Sequence, residues 1–498
     1  MSSFATLNDP TDLDAVRAAL ADADPDHRLA ALGMHRLAID ARAADRVADE
    51  VADQIRRRGG DPLGARVVVL VDNREILRHG GGGPDRGGPV DLKDHVARVL
   101  SGTFAVQTTV LDDGHPTLHA TDVVLDRASA AVLGADGVVA VGGGTISDIA
   151  KVAAARAGDP ALVTVQTAAS VDGYTDGVSV ILRDGVKRTI PSRWPDVVLA
   201  DLDTIVAAPP VMNEAGFGEV LSMFTGPADW YLASIVGLDP SFHPGPPEML
   251  ATIGRDIADW SPGVGRKESA AIGRLTEVLA LRGIATGVSD TTAVLSGMEH
   301  VVSHLLDMHH NAKHLPAGQH GAQVGVAAVI GAVCWELLEE RLVPDQVDLD
   351  AIFPDPEPLR ERVFAAFGHL DDDGRLAGEC WNDYRAKMTR WAGARDRVAA
   401  MLADWDAHRA TLAGLKMSSE VLGRSLALSG APARFADLDP AVDADLARWA
   451  VGNCHLMRNR FTVVDLLDVL GWWTPADVAE VMARAERAVT VEPVRVRS

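Results

Sequence analysis

The run "ARVVVLVDN" (Ala65–Asn73) is apolar and mostly β-branched until it stops at Asp72 and Asn73. A strand of that kind offers no face to water, so it belongs in a parallel sheet covered by helices on both sides. Three more apolar runs follow, "FAVQTTVL", "DGVVAV" and "ALVTVQ", separated by stretches of helical period. Strands alternating with helices predict a doubly wound parallel sheet up to about Ala208. Beyond "APPVMNEAG" the long Ala-, Leu-, Val- and Arg-rich segments contain no convincing strand. The expected organisation is a helical N-terminal extension (1–64, periodic from Leu13 to Arg58), an α/β domain (65–208) and an all-helical C-terminal domain (209–498). The stretch "HGGGGPDRGG" (His79–Gly88) cannot be regular structure and reads as a surface loop.

Composition narrows the class of partner. A formal net charge of −23 opposes binding to duplex nucleic acid or to an anionic membrane, while a small anionic substrate needs only a local basic pocket. Cys334, Cys380 and Cys454 are far apart and form neither a disulfide framework nor a thiolate metal motif. The N-terminus "MSSFATLNDPTDLD" lacks the pattern of a secretory signal, and "VGVAAVIGAVCWELL" (Val324–Leu338) is short for a membrane span and reads as a buried helix. A cytoplasmic protein with no membrane insertion is expected.

Two stretches could carry chemistry. In "DGVVAVGGGTISDIAKVAAA", Gly142, Gly143 and Gly144 lie between a strand and a helix opening at Thr145. Glycines there let backbone N–H groups approach a ligand, and a helix N-terminus favours negative charge, so the turn suits a pyrophosphate. The spacing is not GxGxxG, and a tight turn capped by Thr145 is the plain alternative. In "SGMEHVVSHLLDMHHNAKHLPAGQH", His300 and His304 share a helical face, and His320 precedes the apolar helix read from near Val324. With Glu219 of "EAGFGEVLSMF" as a third ligand, His300 and His320 would make a three-ligand divalent metal site with an open position. The competing reading is that these histidines are surface or packing residues. His309, His310 and His314 read as solvent-facing in the connecting loop.

In order along the chain, "VVAVGGGTISDIAKVAA", "TVQTAASVDG", "VVLADLDTIVAAP", "AGFGEVLS", "LTEVLALRGIATG", "SGMEHVVSH", "QHGAQVGV" and "RNRFTVVDLLDVLG" resemble the glycerol-1-phosphate dehydrogenases. These belong to the superfamily of iron-containing alcohol dehydrogenases, glycerol dehydrogenases and dehydroquinate synthases. The resemblance implies an α/β N-terminal domain with a parallel nucleotide-binding sheet for NAD or NADP, and an all-helical domain. It also implies one divalent metal (zinc, with nickel or iron as alternatives), a small-molecule polyol phosphate substrate and a homo-oligomer. Carried over by position, the metal ligands are Glu219, His300 and His320. His304 would support the ligands from behind or relay a proton, and Asp172 would line the substrate end. Gly142, Gly143, Gly144, Thr145 and Asp148 would form the phosphate cradle. Thr167 and Ser170 would lie along the nicotinamide, and Asp72 would meet a ribose hydroxyl.

Four positions depart from the family pattern: Glu219 stands where Asp is usual, Ala322 replaces an acidic residue, Ala293 replaces an arginine and Val171 replaces a histidine. Lys187, Arg188, Arg458 and Arg460 are the basic residues available to receive a phosphate. Rival readings are a dehydroquinate synthase-like lyase, separated by net nicotinamide turnover; a dehydrogenase of an unphosphorylated polyol or alcohol; and a non-catalytic relative, separated by a metal assay.

Overall fold

The computed structural model of the chain describes residues 4, 7, 9–78, 90–183 and 186–490. The glycine-rich stretch from His79 to Gly88 lies outside the described residues. Six strands, β1 (Arg36–Asp40), β2 (Arg66–Asp72), β3 (Ala105–Leu111), β4 (Gly137–Gly142), β5 (Ala161–Gln166) and β6 (Val197–Asp201), form one sheet. Its order is β1-β6-β5-β4-β2-β3 and every neighbouring pair is parallel.

Alternate residues of the central strands enter two different cores, as a strand's period of two requires. Val67, Val69 and Val71 of β2 pack with Val139 and Val141 of β4 and with Val51, Ile55, Val96 and Leu100 from helices. Val68, Leu70, Val138 and Ala140 point the other way, toward Leu125, Ala128, Ile149 and Ala153. Both faces are therefore dry, which is why these runs show no polar alternation.

The first 64 residues are not a helical extension. The strand β1 interrupts them and pairs with β6 at one edge of the sheet. Only five residues long, with Arg36 exposed and Ile39 and Asp40 half-buried, it lacks the two-sided apolar signature of the central strands.

The chain divides into two compact units, Met1–Gly216 with Arg266–Asp290, and Phe217–Gly265 with Thr291–Ser498. The division thus falls eight residues or so beyond the boundary read at Pro209 and Pro210, inside one helix. The helices that matter below are α1 (Gly144–Arg156), α2 (Pro210–Val220), α3 (Ser269–Ser289), α4 (Met298–Ala312) and α5 (His320–Arg341). Although it comes late in sequence, α3 belongs to the first unit. There Thr175 Oγ1 donates to the Ala280 carbonyl at 2.7 Å.

In the second unit α4 and α5 pack against one another. The helix α5 is longer than its apolar run suggested, at 22 residues, and by length and hydropathy would suffice to cross a membrane; 94% of its most apolar window is buried inside the fold. It starts at His320 itself, four residues before the apolar run.

The approach of α2 to α5 depends on glycine. A Cβ on Gly218 would stand 2.2 Å from the Gly321 carbonyl oxygen, and one on Gly325 would stand 2.6 Å from the Gly218 Cα. Neither distance is tolerable, and the obstacle is backbone, so these helices touch main chain to main chain. Replacing Gly218 with Ala should cost about 1–3 kcal/mol of stability by overpacking. Gly378→Ala, within a helix and with nothing within 4 Å of its would-be Cβ, should gain about 0.5–1 kcal/mol. Thermal unfolding of the two variants beside the parent protein checks both signs.

Candidate active site

The close contact of α2 with α5 sets Glu219, the residue after Gly218, beside His320 at the start of α5. His300, in the first turn of α4, completes the group. One ligand atom from each of Glu219, His300 and His320 lies within 4.8 Å of the others. His300 Nε2 is 3.1 Å from Glu219 Oε1, and His320 Nε2 is 3.9 Å from Glu219 Oε2. Glu219 and His300 are buried, and His320 is half-buried.

The neighbours of the two imidazoles define their tautomers. Ser303 Oγ donates to Gln323 Oε1 at 2.7 Å, so it receives a hydrogen bond from His320 Nδ1 at 2.9 Å. Likewise, Glu299 Oε1 accepts from His300 Nδ1 at 3.1 Å. With Nδ1–H spoken for in both rings, both Nε2 atoms can present lone pairs to the same point. Glu299 is itself fixed, accepting from the Gly297 N–H at 2.6 Å and from Thr225 Oγ1 at 3.0 Å. Burial alone would push the His300 pKa down, but the carboxylates of Glu219 and Glu299 outweigh it and raise it to about 9, so without an ion Nε2 carries a proton toward Glu219 and a bound cation would have to displace it. Two imidazoles and a carboxylate in this arrangement are the donor set of a catalytic divalent metal, and they fit one ion.

His304 lies next to the trio, its ring centroid 5.7 Å from that of His320. The other histidines of this stretch do not form a loop. The helix α4 runs on to Ala312, because nothing in "HHNAK" breaks a helix, and it carries His309 half-buried and His310 fully buried. Only His314 of the three is exposed.

The proposed nucleotide residues cluster in the first unit at the carboxyl ends of the parallel strands. Asp72 ends β2 and Gly142 ends β4, the adjacent strands where the sheet order reverses, and Thr167 follows β5. Ligands of open α/β sheets bind at such a switch point. The helix α1 begins at Gly144 rather than Thr145; its N-cap is Gly143, and no side chain caps it. The amides of its first turn are thereby left for a ligand. Thr145 is exposed, and Thr167 and Ser170 are buried. The Asp72 carboxylate accepts from the Arg74 N–H at 3.1 Å and stands 3.7 Å from Lys93 Nζ.

Behind this turn lie ionic contacts not anticipated from sequence. Asp148 Oδ1 pairs with the fully buried Lys151 at 3.0 Å, and Lys151 also meets Asp176 at 2.8 Å. Asp148 is thus engaged within the fold. Burial raises the Asp176 pKa to about 6 despite Lys151. Asp172 Oδ2 is 3.1 Å from Nη2 of the fully buried Arg282 on α3. The same helix also carries Arg274 and Glu277, and no local motif separates Arg282 from them. Of the basic residues, the side chain of Lys187 lies outside the described residues. Arg460 is half-buried and donates to Thr292 Oγ1 at 3.0 Å, next to Ala293.

A family model described as iron-containing alcohol dehydrogenase matches residues 89–209. The glycerol-1-phosphate dehydrogenase (NAD(P)+) of Bacillus subtilis (strain 168) is 30% identical over 289 residues, covering 57% of this chain and 68% of that protein. The enzyme of the same name from Bacillus velezensis is 30% identical over 339 residues, covering 67% and 70%. Among solved structures, maleylacetate reductase from Agrobacterium tumefaciens superposes with a TM-score of 0.51 at 17% identity, over 92% of this chain and 98% of that one. At that identity the likeness is one of fold.

Two outcomes follow from the geometry. Replacing His300 or His320 with Ala should abolish stoichiometric binding of a divalent ion, because two remaining ligands rarely hold one, whereas His304→Ala should retain it. Elemental analysis after dialysis reads the difference, and loss of metal in the His304 variant would redraw the ligand set. The second concerns Gly143, where an added Cβ would meet only Met212 and Tyr174, at 3.8 and 4.0 Å. Gly143→Val should therefore fold normally yet weaken nicotinamide nucleotide binding roughly tenfold or more, about 1.4 kcal/mol, as measured by fluorescence titration. Unchanged affinity would remove the nucleotide from this turn.

Proposed function

We propose that this chain, which belongs to the glycerol-1-phosphate dehydrogenase family of iron-containing alcohol dehydrogenases, is a metal-dependent NAD(P) oxidoreductase. Its substrate pair is sn-glycerol 1-phosphate and dihydroxyacetone phosphate. The observation that carries this reading is the convergence of Glu219, His300 and His320, with both imidazole Nε2 atoms turned toward the carboxylate. When bound, the divalent ion supplies Lewis acidity toward the substrate oxygen and the nicotinamide takes up or returns the hydride.

The chain's own residues do the positioning. Glu299 and Ser303 hold the Nδ1 protons of His300 and His320, so Nε2 is the atom of each ring left to face an ion. Glu219 contributes the single negative charge of the ligand set. His304, beside His320, is the group we assign to carrying the hydroxyl proton away, and Asp172, paired with Arg282, orients the substrate's free hydroxyl. Gly142, Gly143, Gly144 and Thr145 hold the pyrophosphate, Asp148 braces that turn through Lys151, Thr167 and Ser170 flank the nicotinamide, and Asp72 accepts from a ribose hydroxyl. Zinc is the proposed ion; nickel and ferrous iron suit the same donors. A cytoplasmic homo-oligomer completes the proposal.

One residue favours a second reading. Glu219, in place of the family's aspartate, matches the synthases of the superfamily, which would use the nucleotide without net consumption. Initial rates of nicotinamide reduction with glycerol 1-phosphate and with glycerol decide among the readings. The phosphorylated substrate should be preferred at least about a hundredfold in kcat/KM, the scale expected when a charge-matched contact is lost. Preference for glycerol would shift the reading to an unphosphorylated polyol. Product formed without net nicotinamide turnover would favour the lyase.

A further inference from the structure

We infer that Arg460, with Arg458 beside it, forms an anion-binding subsite that takes the phosphate group of the substrate. The inference rests on the phosphorylated-polyol reading above.

A half-buried guanidinium normally finds a carboxylate, because a desolvated charge without a counter-charge is costly. Arg460 does not find one. Its two Nη atoms donate to the Ser296 carbonyl and to Thr292 Oγ1, and both partners are neutral. Among the described residues no carboxylate oxygen lies within ion-pair distance of it, and Glu299, Asp239 and Asp229 act on it only from farther away. Burial, and then the neighbouring Arg458, pull its pKa below the usual arginine value. Two like charges thus stand together in a protein whose net charge is −23. Contrast Arg282 and Lys387, both fully buried and both matched, by Asp172 at 3.1 Å and by Asp465 at 2.5 Å.

The loop carrying the arginines is held from behind. Lys387 Nζ donates to the His455 carbonyl at 2.5 Å and to the Arg460 carbonyl at 3.2 Å, and Arg390 Nη2 donates to the Asn459 carbonyl at 2.7 Å. Such anchoring preorganises a guanidinium for an anion, since little ordering remains to be done on binding. Position also favours the substrate. The residues that Arg460 grips, Thr292 and Ser296, bracket Ala293 and lead directly into α4, which carries His300. A cation fixed on this turn belongs to the same unit as the metal trio.

Calorimetric titration with inorganic phosphate at low ionic strength tests the subsite without any turnover. Phosphate should bind the parent protein saturably, and Arg460→Ala should raise the dissociation constant roughly 10- to 100-fold, the range of a lost charge-assisted contact. Arg460→Lys should recover part of it, since charge returns without the planar fork. Any phosphate held at the glycine turn contributes equally to all three proteins. In kinetics, KM for glycerol 1-phosphate should rise by a similar factor in the alanine variant, with KM for glycerol and the bound metal unchanged.

Equal phosphate affinity in parent and variant, or no binding to either, would overturn the subsite. So would a parallel rise in KM for both substrates, or loss of metal, because Arg460 would then be only a clamp on the 292–296 turn. Should Arg460→Ala not fold, Arg460→Gln, which keeps donors for the Ser296 carbonyl and Thr292 Oγ1 but removes the charge, carries the same test with the same expected direction. Phosphate binding that is lost in the variant, in a protein that does not oxidise glycerol 1-phosphate, would keep the subsite and reject the proposed activity.

Discussion

Main chain meets main chain where α2 passes α5, and the candidate metal centre is a consequence of that contact. At Gly218 and Gly325 there is no room for a methyl group between the helices, the obstacles being the Gly321 carbonyl and the Gly218 Cα. Because Glu219 follows Gly218 and His320 precedes Gly321, the contact that excludes side chains on one side of the helix pair also aligns two donors on the other. Side-chain packing could not bring the carboxylate and the imidazole so near with comparable rigidity, since every interposed methyl group would separate the axes and add rotamer freedom. The third ligand, His300, is then oriented by a hydrogen bond rather than by backbone contact, through Glu299, which the Gly297 N–H and Thr225 Oγ1 fix in turn.

Charge placement shows a consistent pattern inside an acidic protein. Lys151, Arg282 and Lys387 are each fully buried and each has a carboxylate within reach. They join segments distant in sequence: Lys151 ties α1 to the 173–178 stretch, and Arg282 ties α3 to Asp172. Removing either partner of such a pair leaves an uncompensated charge in the interior, which is far more harmful than the pair is helpful. These ions therefore specify which segments lie together more than they add stability.

Much of this was legible in the chain itself, for reasons that can be traced to particular residues. The strands β2, β4 and β5 were readable because both of their faces are dry, so their interiors are almost wholly apolar, Thr164 of β5 being a buried exception. The strand β1 was not, because five residues at a sheet edge, two of them charged, look like part of the helical sequence around them. His300 and His320 stood out through spacing and resemblance. Ser303 and Gln323, which fix the His320 tautomer, did not, because a hydroxyl and an amide become meaningful only when tertiary contact sets donor against acceptor. His310 was misplaced in a loop for want of any signal that α4 continues, and Arg282 lay hidden in a largely apolar helix whose acidic partner is 110 residues away.

The discontinuity of the two units bears on how the protein can be divided. Residues 266–290 belong to the first unit but lie between two pieces of the second. A fragment ending near residue 216 would retain the whole parallel sheet yet lack α3. Asp172 would lose Arg282, and Thr175 would lose the Ala280 carbonyl. Neither unit is a contiguous module, so a cut at the sequence boundary would not release the first unit whole. During synthesis the sheet emerges first but must wait for α3, and by then the opening segment of the helical unit, with Glu219, has already left the ribosome without its histidine partners.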